Sequence, residues 1–254
     1  MTLQTPARHA IERVRREPKR RRLTVSTVIE LTPKMRRLVF VSPDLLDFSS
    51  LGADDHIKLF FADPAAPDRP VMRDYTPRAF NASNAELTID FALHDAGPAT
   101  AWALAAQPGD TLDIGGPRGS MLVADDFDFY WLIGDETALP AIGRRVEELR
   151  AGAFVTTVVI VDGPEEEQRF ETKADWRPVW VHRNGRTDAD ALKAALSGLR
   201  AGAGDGYVWI AAEAQTARAL RDYVLGERGH PKEWFKASGY WVAGQPGETA
   251  KFAD

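Results

Sequence analysis

The pattern of apolar residues changes near Phe127, and this change limits the fold more than any other feature. Before it, short β-branched and aromatic segments follow one another with turn residues between them, as in residues 23–42. After it, apolar runs such as residues 153–161 alternate with amphipathic segments of helical length. Strand following strand is typical of an antiparallel barrel. Strand alternating with helix is typical of a parallel sheet covered on both faces.

The change predicts two domains, and 254 residues suit two modest domains. Residues 22–124 are predicted to form an antiparallel β-barrel, interrupted by one helix that begins after Gly97 and Pro98. Residues 125–254 are predicted to form an α/β domain with a parallel sheet and a C-terminal extension. Residues 1–21 precede the barrel as a basic leader.

The leader and the start of the barrel are strongly basic. Residues 8–22 hold eight lysines and arginines and two glutamates, in a chain whose formal net charge is −5. One interpretation is a solvated, partly frayed segment, which is the commoner fate of such a run. The other is an arm that recruits an anionic partner or a membrane surface.

Composition excludes several classes of function. The chain has no cysteine, so disulfides, thiolate metal sites, cysteine-held iron–sulfur clusters and cysteine nucleophiles are ruled out. Any redox chemistry must then come from a bound cofactor. The acidic net charge argues against nucleic acid as the main partner. The five histidines are scattered, with no pattern of a catalytic triad or a metal site.

The sequence also favours a cytoplasmic protein without integral membrane association. Its longest apolar run, residues 153–161, has the length of a strand and not of a membrane span. The first residues lack the charged, apolar and small-residue pattern of a secretory signal.

The segment "RDYTPR", residues 73–78, concentrates polar anchors in a short stretch. Thr76 precedes a proline, which favours an extended backbone, and Arg73 and Tyr75 then share one face of the strand. A guanidinium can hold a diphosphate through two parallel hydrogen bonds, and a tyrosine ring can stack on a planar heterocycle. These side chains suit a flavin nucleotide, although an edge strand with surface ion pairs has the same pattern.

Two further segments carry features of a phosphate site. In "DFALHDAGPATAW", residues 90–102, Gly97 and Pro98 begin a helix whose first N–H groups favour an anion. "GGPRG", residues 115–119, is a tight glycine loop with one arginine. Each feature alone is also compatible with an ordinary capped helix or a turn.

Taken together and in this order, the motifs resemble one family. "RDYTPR", "DFALHDAGPATAWA", "GGPRGS", "GDETALPAI" and "FKASGYWVAG" are similar to segments of the siderophore-interacting proteins. These are FAD-dependent ferric-siderophore reductases within the ferredoxin–NADP reductase superfamily. The resemblance covers residues 22–244, nearly all of the chain beyond the leader.

The resemblance implies FAD in the barrel domain. Arg73, Tyr75 and Thr76 would hold the flavin diphosphate and ring, with Arg78 supporting them. The full set of implied barrel contacts is Arg73, Tyr75, Thr76, Arg78, Asp90, Phe91, Leu93, His94, Gly97, Pro98, Ala99, Thr100, Trp102, Gly116, Arg118 and Gly119. His94, at the end of a strand, also has the ordinary interpretation of a hydrogen-bonded structural histidine.

The resemblance also implies a nicotinamide site at the strand ends of the α/β domain. Asp135, Thr137, Ala138 and Glu213 would face the junction of nicotinamide and flavin. Arg183 and Arg186 follow a strand and suit the 2′-phosphate of NADPH. The alternative donor is NADH, because Asp162 ends the preceding strand and suits a ribose diol.

Lys58 and Lys236 are the candidates for attracting an anionic ferric siderophore or other ferric chelate. The family's "GYWR" reads "GYWV" in this chain, with Val242 in the place of the arginine. The leading hypothesis is an NAD(P)H-dependent ferric-siderophore reductase, in which hydride passes to FAD and single electrons then pass to chelated Fe(III). The alternatives are a flavin reductase that serves an electron-acceptor protein, and a flavin-binding redox or iron sensor without rapid turnover.

Overall fold

The computed structural model describes residues 8–63, 66, 68–93, 97–200 and 202–252. Within them are fifteen strands and four α-helices. The strands are β1 (Ile11–Arg15), β2 (Arg20–Thr32), β3 (Met35–Val41), β4 (Ile57–Phe61), β5 (Val71–Tyr75), β6 (Ala79–Asn81), β7 (Glu86–Ala92), β8 (Thr111–Gly115), β9 (Gly119–Val123), β10 (Phe129–Gly134), β11 (Phe154–Val161), β12 (Asp175–His182), β13 (Gly206–Glu213), β14 (Phe235–Trp241) and β15 (Ala250–Lys251). The helices are α1 (Pro98–Ala105), α2 (Leu139–Glu148), α3 (Asp188–Ser197) and α4 (Ala214–Asp222).

The first sheet has seven antiparallel strands in the order β5-β4-β8-β2-β3-β7-β6. Its strands alternate as half-buried strands should: in β2, Leu23 and Val25 point into the core while Arg22 and Ser26 are exposed. Helix α1 packs on the same core through Ala99 and Ala103, among others. The predicted antiparallel barrel is therefore confirmed as a curled antiparallel sheet with one helix against it.

The second sheet has the order β12-β11-β10-β13-β14-β15, and all its pairs are parallel except the last. Every residue of the central strand β10 is buried, as expected for a strand covered on both faces. One core lies beneath α2, and a second core lies beneath α3 and α4. The predicted parallel-sheet α/β domain is confirmed.

Gly134 ends β10 where the chain turns toward α2. A Cβ at this position would lie 2.4 Å from the carbonyl oxygen of Ala211 and 2.5 Å from the Cβ of Ala138. The glycine therefore allows the strand, its neighbour β13 and the following turn to come into contact.

One interpretation of the basic leader was a solvated, partly frayed segment, but part of the leader is a paired strand. Residues 11–15 form β1, which pairs with β9 from Ile11↔Val123 to Arg15↔Gly119. A Cβ on Gly119 would lie 2.2 Å from the carbonyl oxygen of Val14, so the two backbones are in close contact. Backbone hydrogen bonds to β9 thus hold part of the leader against the body of the protein.

His9 fixes the beginning of β1. Its Nδ1 lies 3.0 Å from Asp126 and its Nε2 lies 3.0 Å from Asp205, and only 4% of the side chain is exposed. The ring stacks on Phe127 at a centroid distance of 4.2 Å. This contact, named here the His9 clasp, attaches the leader to the α/β domain.

Polar contacts also join the two sheets to each other. Arg144 on α2 is buried and donates to the hydroxyl and carbonyl oxygens of Ser50 at 2.8 and 2.9 Å and to the carbonyl oxygen of Pro77 at 3.0 Å. Thr32 on β2 donates to the buried carboxylate of Glu166 at 2.6 Å. These bonds fix the relative position of the surfaces that face each other between the sheets.

Across the described ranges, no helix combines the length and the apolar character that crossing a membrane requires.

Candidate active site

A cavity of about 2000 Å³ lies between the two sheets. Its walls come from β5, the start of α1, the glycine loop after β8, β1, β14 and residues 244–252. The cavity is larger than the pocket of a typical drug-sized ligand, so it can hold a dinucleotide together with a second molecule.

Four residues of the "RDYTPR" segment line this cavity: Arg73, Asp74, Tyr75 and Thr76. The Arg73 guanidinium donates to the carbonyl oxygen of Met72 at 2.9 Å. The ring of Tyr75 packs against Phe91 at a centroid distance of 4.6 Å. One strand thus presents a cation, an aromatic ring and a hydroxyl to the same space.

Tyr75 and Tyr240 bring two hydroxyls to this region. Burial raises the pKa of each hydroxyl above its ordinary value, so both remain protonated at neutral pH. Tyr240 on β14 lines the same cavity as Thr76, which follows the end of β5. Sequence reasoning missed Tyr240, because an aromatic residue within an apolar strand resembles an ordinary core residue.

Arg78 does not line the cavity. Its two terminal nitrogens donate to Glu147 on α2 at 2.7 and 2.6 Å, and Asp90 lies 3.6 Å away. The side chain is buried, so Arg78 ties the curled sheet to the α/β domain. Arg78 therefore lies behind the cavity wall, where its side chain does not face a molecule bound in the cavity.

The "DFALH" residues divide between the cavity and the core. Asp90 lines the cavity and accepts two hydrogen bonds from Arg37, at 2.7 and 2.8 Å. Phe91, Leu93 and Trp102 pack in or against the core of the curled sheet and are absent from the cavity wall. Their predicted role is therefore indirect, through the packing that positions β7 and α1. His94 lies outside the described residues.

The start of α1 faces the cavity, as the Gly97–Pro98 motif predicts. Gly97 is the N-cap residue and provides no side-chain cap, and the space where its Cβ would lie is open. Gly97, Ala99 and Thr100 line the cavity, whereas Pro98 is exposed and does not line it. The first N–H groups of a helix have no partner within the helix, so this end suits a phosphate.

The glycine loop forms another wall. Gly116 has a φ of 103°, a conformation that glycine adopts readily, and is followed by a cis bond to Pro117. Gly119 and the exposed side chain of Arg118 line the cavity, whereas Gly116 lies behind it and accepts a hydrogen bond from Arg21 at 3.1 Å.

Asp135 accepts hydrogen bonds that hold the ends of neighbouring strands together. Its buried carboxylate accepts hydrogen bonds from the backbone and hydroxyl of Thr137 at 3.0 and 2.5 Å, from the backbone of Glu213 at 2.8 Å and from the indole of Trp241 at 2.9 Å. These four donors join the ends of β10, β13 and β14. Asp135 therefore fixes this edge of the sheet rather than facing a ligand.

The other residues predicted for this edge have varied positions. Thr137 lines the cavity, and Ala138 is fully buried against Gly134. The carboxylate of Glu213 accepts from the first backbone N–H groups of α4 at 2.6 and 3.1 Å, so it caps that helix. Among these residues, Thr137 is the one positioned to meet a molecule in the cavity.

Arg183 is surrounded by carboxylates. It donates to Asp162 at 2.7 Å, to Glu136 at 2.7 Å and to Asp188 at 2.9 Å. Although burial opposes its charge, the hydrogen bonds to Asp188 and Glu136 raise the pKa of Arg183. Burial, with a contribution from the nearby Asp135, raises the pKa of Glu136. A 2′-phosphate at Arg183 would have to compete with three anions.

Both candidate substrate lysines line the cavity, and each has a carboxylate partner. Lys58 donates to Asp74 at 2.7 Å, and Lys236 is bonded to Asp54, which also accepts from the indole of Trp209 at 3.0 Å. Burial opposes ionisation of Asp54, but the charge of Lys236 holds the pKa of that carboxyl below its ordinary value. Lys236 thus also links β14 to the curled sheet.

Val242, which stands where the family has an arginine, lines the cavity at the start of a turn. Its backbone forms a bridge with Gln245, and the following segment passes over β5. A Cβ on Gly247 would lie 2.7 Å from Nη1 of Arg73. The C-terminal segment therefore covers the predicted cofactor arginine, a contact that local sequence patterns could not reveal.

The cavity passes a simple test for a flavin nucleotide. Among the described residues, four buried side-chain polar atoms have no hydrogen-bond partner, and two of these, Asp74 Oδ1 and Tyr207 Oη, belong to cavity-lining residues. A buried polar atom without a partner is costly, so these atoms favour a polar ligand. With the Arg73 guanidinium, the Tyr75 ring and the start of α1, the donor set fits FAD.

Comparison with known protein families covers most of the chain. The siderophore-interacting protein family matches residues 127–244. The siderophore-interacting FAD-binding domain matches residues 24–68 and 64–121.

Two curated relatives match this chain along most of their length. The NADPH-dependent ferric-chelate reductase of Escherichia coli strain K12 is 34% identical over 251 residues, which is 91% of this chain and 96% of that protein. The ferric vibriobactin reductase ViuB of Vibrio cholerae is 27% identical over 238 residues, with coverage of 86% and 88%.

Solved structures agree with the fold. A siderophore utilization protein from T. fusca superposes with a TM-score of 0.87 at 35% identity, covering 94% of this chain and 98% of that chain. The siderophore-interacting protein SipS from Aeromonas hydrophila gives a TM-score of 0.77 at 30% identity, with coverage of 91% and 93%. A flavohemoglobin from Malassezia yamatoensis shares the fold, with a TM-score of 0.64 at 15% identity over 88% of this chain and 59% of that chain.

Proposed function

The chain belongs to the siderophore-interacting protein family, and on that basis we propose that it is an FAD-dependent NAD(P)H:ferric-siderophore reductase. Its substrates would be a reduced nicotinamide dinucleotide and an Fe(III) chelate, and its iron product would be Fe(II). The weaker hold of oxygen-rich chelators on Fe(II) would then release the metal.

The observation that carries this proposal is the convergence of flavin-binding features on one cavity. Arg73 and Tyr75 on β5 and the start of α1 all line the same space. A guanidinium and a helix start suit the two phosphates, and a buried aromatic ring suits the flavin plane. Bound there, FAD would supply the chemistry that couples the two-electron donor to a one-electron acceptor.

The residues of this chain have binding and positioning roles in that proposal. Arg73 and the N–H groups at the start of α1 would hold the diphosphate. Tyr75 and Thr76 would contact the flavin ring, with the packing of Tyr75 against Phe91 fixing the orientation of the tyrosine. Thr137, at the carboxyl end of β10, would contact the nicotinamide, because ligands of open α/β sheets bind beyond the carboxyl ends of the strands.

The charge of the cavity supports an anionic iron complex as the substrate. Among the described residues that line the cavity, eleven are lysine or arginine and six are aspartate or glutamate. The whole chain has a formal net charge of −5, so the excess of positive charge is local. A cleft with one dominant sign of charge raises the local concentration of the opposite ion.

NADPH is the donor of the Escherichia coli relative according to its name. In this chain Arg183 already pairs with Asp162, Glu136 and Asp188, which would weaken its preference for a 2′-phosphate. We propose NADPH as the preferred hydride donor and expect NADH to be used as well. The ratio of kcat/KM for the two dinucleotides measures this preference directly.

The test is a pair of stopped-flow experiments on the purified holoprotein. In the first, anaerobic mixing with NADPH or NADH should bleach the visible absorbance of FAD. In the second, the reduced protein is mixed with a panel of ferric chelates, and an Fe(II)-specific chromogenic chelator records the product. Bleaching followed by chelate-dependent Fe(II) formation supports the proposal.

Other results would favour the alternatives. Bleaching without reoxidation by any chelate, but with reoxidation by an electron-transfer protein such as a flavodoxin, would favour a flavin reductase. An FAD-loaded protein that neither dinucleotide bleaches would contradict both enzyme functions and favour a sensor.

A further inference from the structure

The basic strand β1 forms part of the cavity wall, whereas the sequence left open a solvated leader or a recruiting arm. Residues 11, 13 and 15 point to one side of the strand, and all three line the cavity, together with Val14 from the other side. Glu12, on the opposite side, does not line it. The strand therefore turns its arginines toward the cavity and its acidic residue away from it.

The glycine loop brings β1 close to the rest of the basic wall. Arg15 is opposite Gly119 in the β1–β9 pair, and the backbone of Arg16 donates to the carbonyl oxygen of Arg118 at 2.8 Å. At the other end of the loop, Gly115 is opposite both Arg20 on β2 and Lys58 on β4. The register of five strands, β1, β2, β4, β8 and β9, thus gathers these cations around one loop.

The cations of this wall differ in whether their charge is already paired. Lys58 is bonded to Asp74, and Arg20 to Asp113 at 3.0 Å. For Arg13, Arg15 and Arg118, no carboxylate among the described residues lies within ion-pair distance, and all three side chains are exposed. The unpaired positive charge at this end of the cavity therefore belongs to β1 and to the adjacent loop.

Three contacts hold β1 in this position: the β1–β9 hydrogen bonds, the close approach of Gly119 to Val14, and the His9 clasp. The backbone that carries Arg13 and Arg15 is therefore fixed while their side chains remain free to meet a ligand. A fixed pair of cations beside a cavity suits a ligand with several negative charges, because each guanidinium can bind a separate oxygen cluster.

We infer that Arg13 and Arg15 are specificity-determining residues that select multiply anionic ferric chelates over neutral ones. This inference rests on the proposed reductase function and deepens it. The relevant substrates would carry carboxylates or other anionic oxygens at their periphery, beyond those that coordinate iron. Neutral hydroxamate complexes would gain nothing from these two arginines.

The test compares two substrates, ferric dicitrate as the multiply anionic chelate and ferric tris(acetohydroxamate) as the neutral one. The variant is Arg13→Gln/Arg15→Gln, which removes two charges and leaves the backbone pairing of β1 available. The matched control is Arg69→Gln/Arg200→Gln, which makes the same charge change at exposed positions outside the cavity. The FAD content of each protein and kcat/KM for each chelate are measured.

For the β1 variant, the ratio of kcat/KM for ferric dicitrate to that for the hydroxamate complex should fall roughly tenfold at low salt. This is the order expected when two unit charges within a Debye length of a multiply charged anion are removed. Added salt should reduce the difference between the variant and the wild type. The control variant should keep the wild-type ratio and FAD content.

Each other result overturns the inference. An unchanged ratio, or an equal loss for both chelates, would show that β1 does not discriminate charge. Loss of FAD from the β1 variant would assign the arginines to the cofactor. A fall of the same size in the control would show a general effect of net charge. If the wild type reduces neither of these chelates nor any other in a broader panel, the proposed function itself fails; if it reduces them but the ratio is unchanged, only this inference fails.

Discussion

The pairing of Arg78 with Glu147 allows a sharp test of how the cavity is built. Arg78 is 5% exposed and makes two hydrogen bonds to the carboxylate, at 2.7 and 2.6 Å. Replacing it by methionine keeps much of the volume and leaves Glu147 without a cation. Removing one partner of a buried ion pair costs about 3–5 kcal/mol.

In this structure, losing the Arg78–Glu147 ion pair should cost less stability than the loss of a fully buried pair. The Glu147 side chain is 33% exposed, so water can solvate it again after the change. Asp90, the second carboxylate near Arg78, keeps its two hydrogen bonds from Arg37. We expect Arg78→Met to lower the free energy of unfolding by about 2–3 kcal/mol, and the melting temperature by about 5–10 °C in a chain of this size.

The assay is a thermal unfolding scan together with the flavin absorbance per folded molecule. Arg78→Met should melt earlier while its folded fraction retains FAD, because Arg78 lies outside the cavity wall. In the double variant with Glu147→Gln, part of the stability should return, since no unpaired charge remains. As a control, Arg177→Met alters an ion pair whose arginine is 63% exposed, and should change stability by no more than about 0.5 kcal/mol.

The reasoning is refuted if Arg78→Met melts like the wild type but purifies without FAD. Arg78 would then bind the cofactor directly, as the resemblance first implied. The ion pair with Glu147 would contribute nothing to the stability of the fold.

Three further changes test other parts of the structure. Arg73→Ala should lose FAD during purification while the apoprotein unfolds within about 1 kcal/mol of the wild type, and a fully yellow variant would contradict the assignment. Gly134→Ala should lower the free energy of unfolding by about 1–3 kcal/mol, because the new Cβ would push β10 away from Ala211 and Ala138. Gly226→Ala should be tolerated, because a Cβ there meets nothing within 4 Å. Lys236→Met should cost about 3 kcal/mol at neutral pH, measured by denaturant titration. Because Lys236 lowers the pKa of Asp54, the ion pair stabilises the folded protein above pH 3.8, the ordinary pKa of the carboxyl. This stabilisation is lost as the pH falls through the lower pKa that Asp54 has in the folded protein. A loss of stability from Lys236→Met that grew on acidification would contradict this account.

The fold followed from the sequence because hydrophobic periodicity is a local property. The continuous apolar run of β10 predicted a strand covered on both faces, and Gly97 with Pro98 predicted the start of α1. Both predictions needed only neighbouring residues.

The parts that escaped prediction depend on residues far apart in the chain. Asp135 follows a strand whether it faces a ligand or accepts from the indole of Trp241, and the sequence does not distinguish these outcomes. The carboxylates around Arg183 and the partner of Arg78 are likewise set by tertiary packing. Motif resemblance located the cavity, but the partners of each charge had to come from the structure.

The His9 clasp has a consequence for the order in which this protein folds. His9 is separated by 117 residues from Asp126 and by 196 residues from Asp205, and β1 itself pairs with β9 at residues 119–123. Contacts at such separations form late, because the closure of long loops costs entropy before the contact can stabilise it. During synthesis, β1 can pair with β9 once residue 123 exists, whereas the His9 clasp must wait for residue 205. The strand that is made first is therefore completely held only when most of the chain exists, and the arginine wall of the cavity is fully fixed only then.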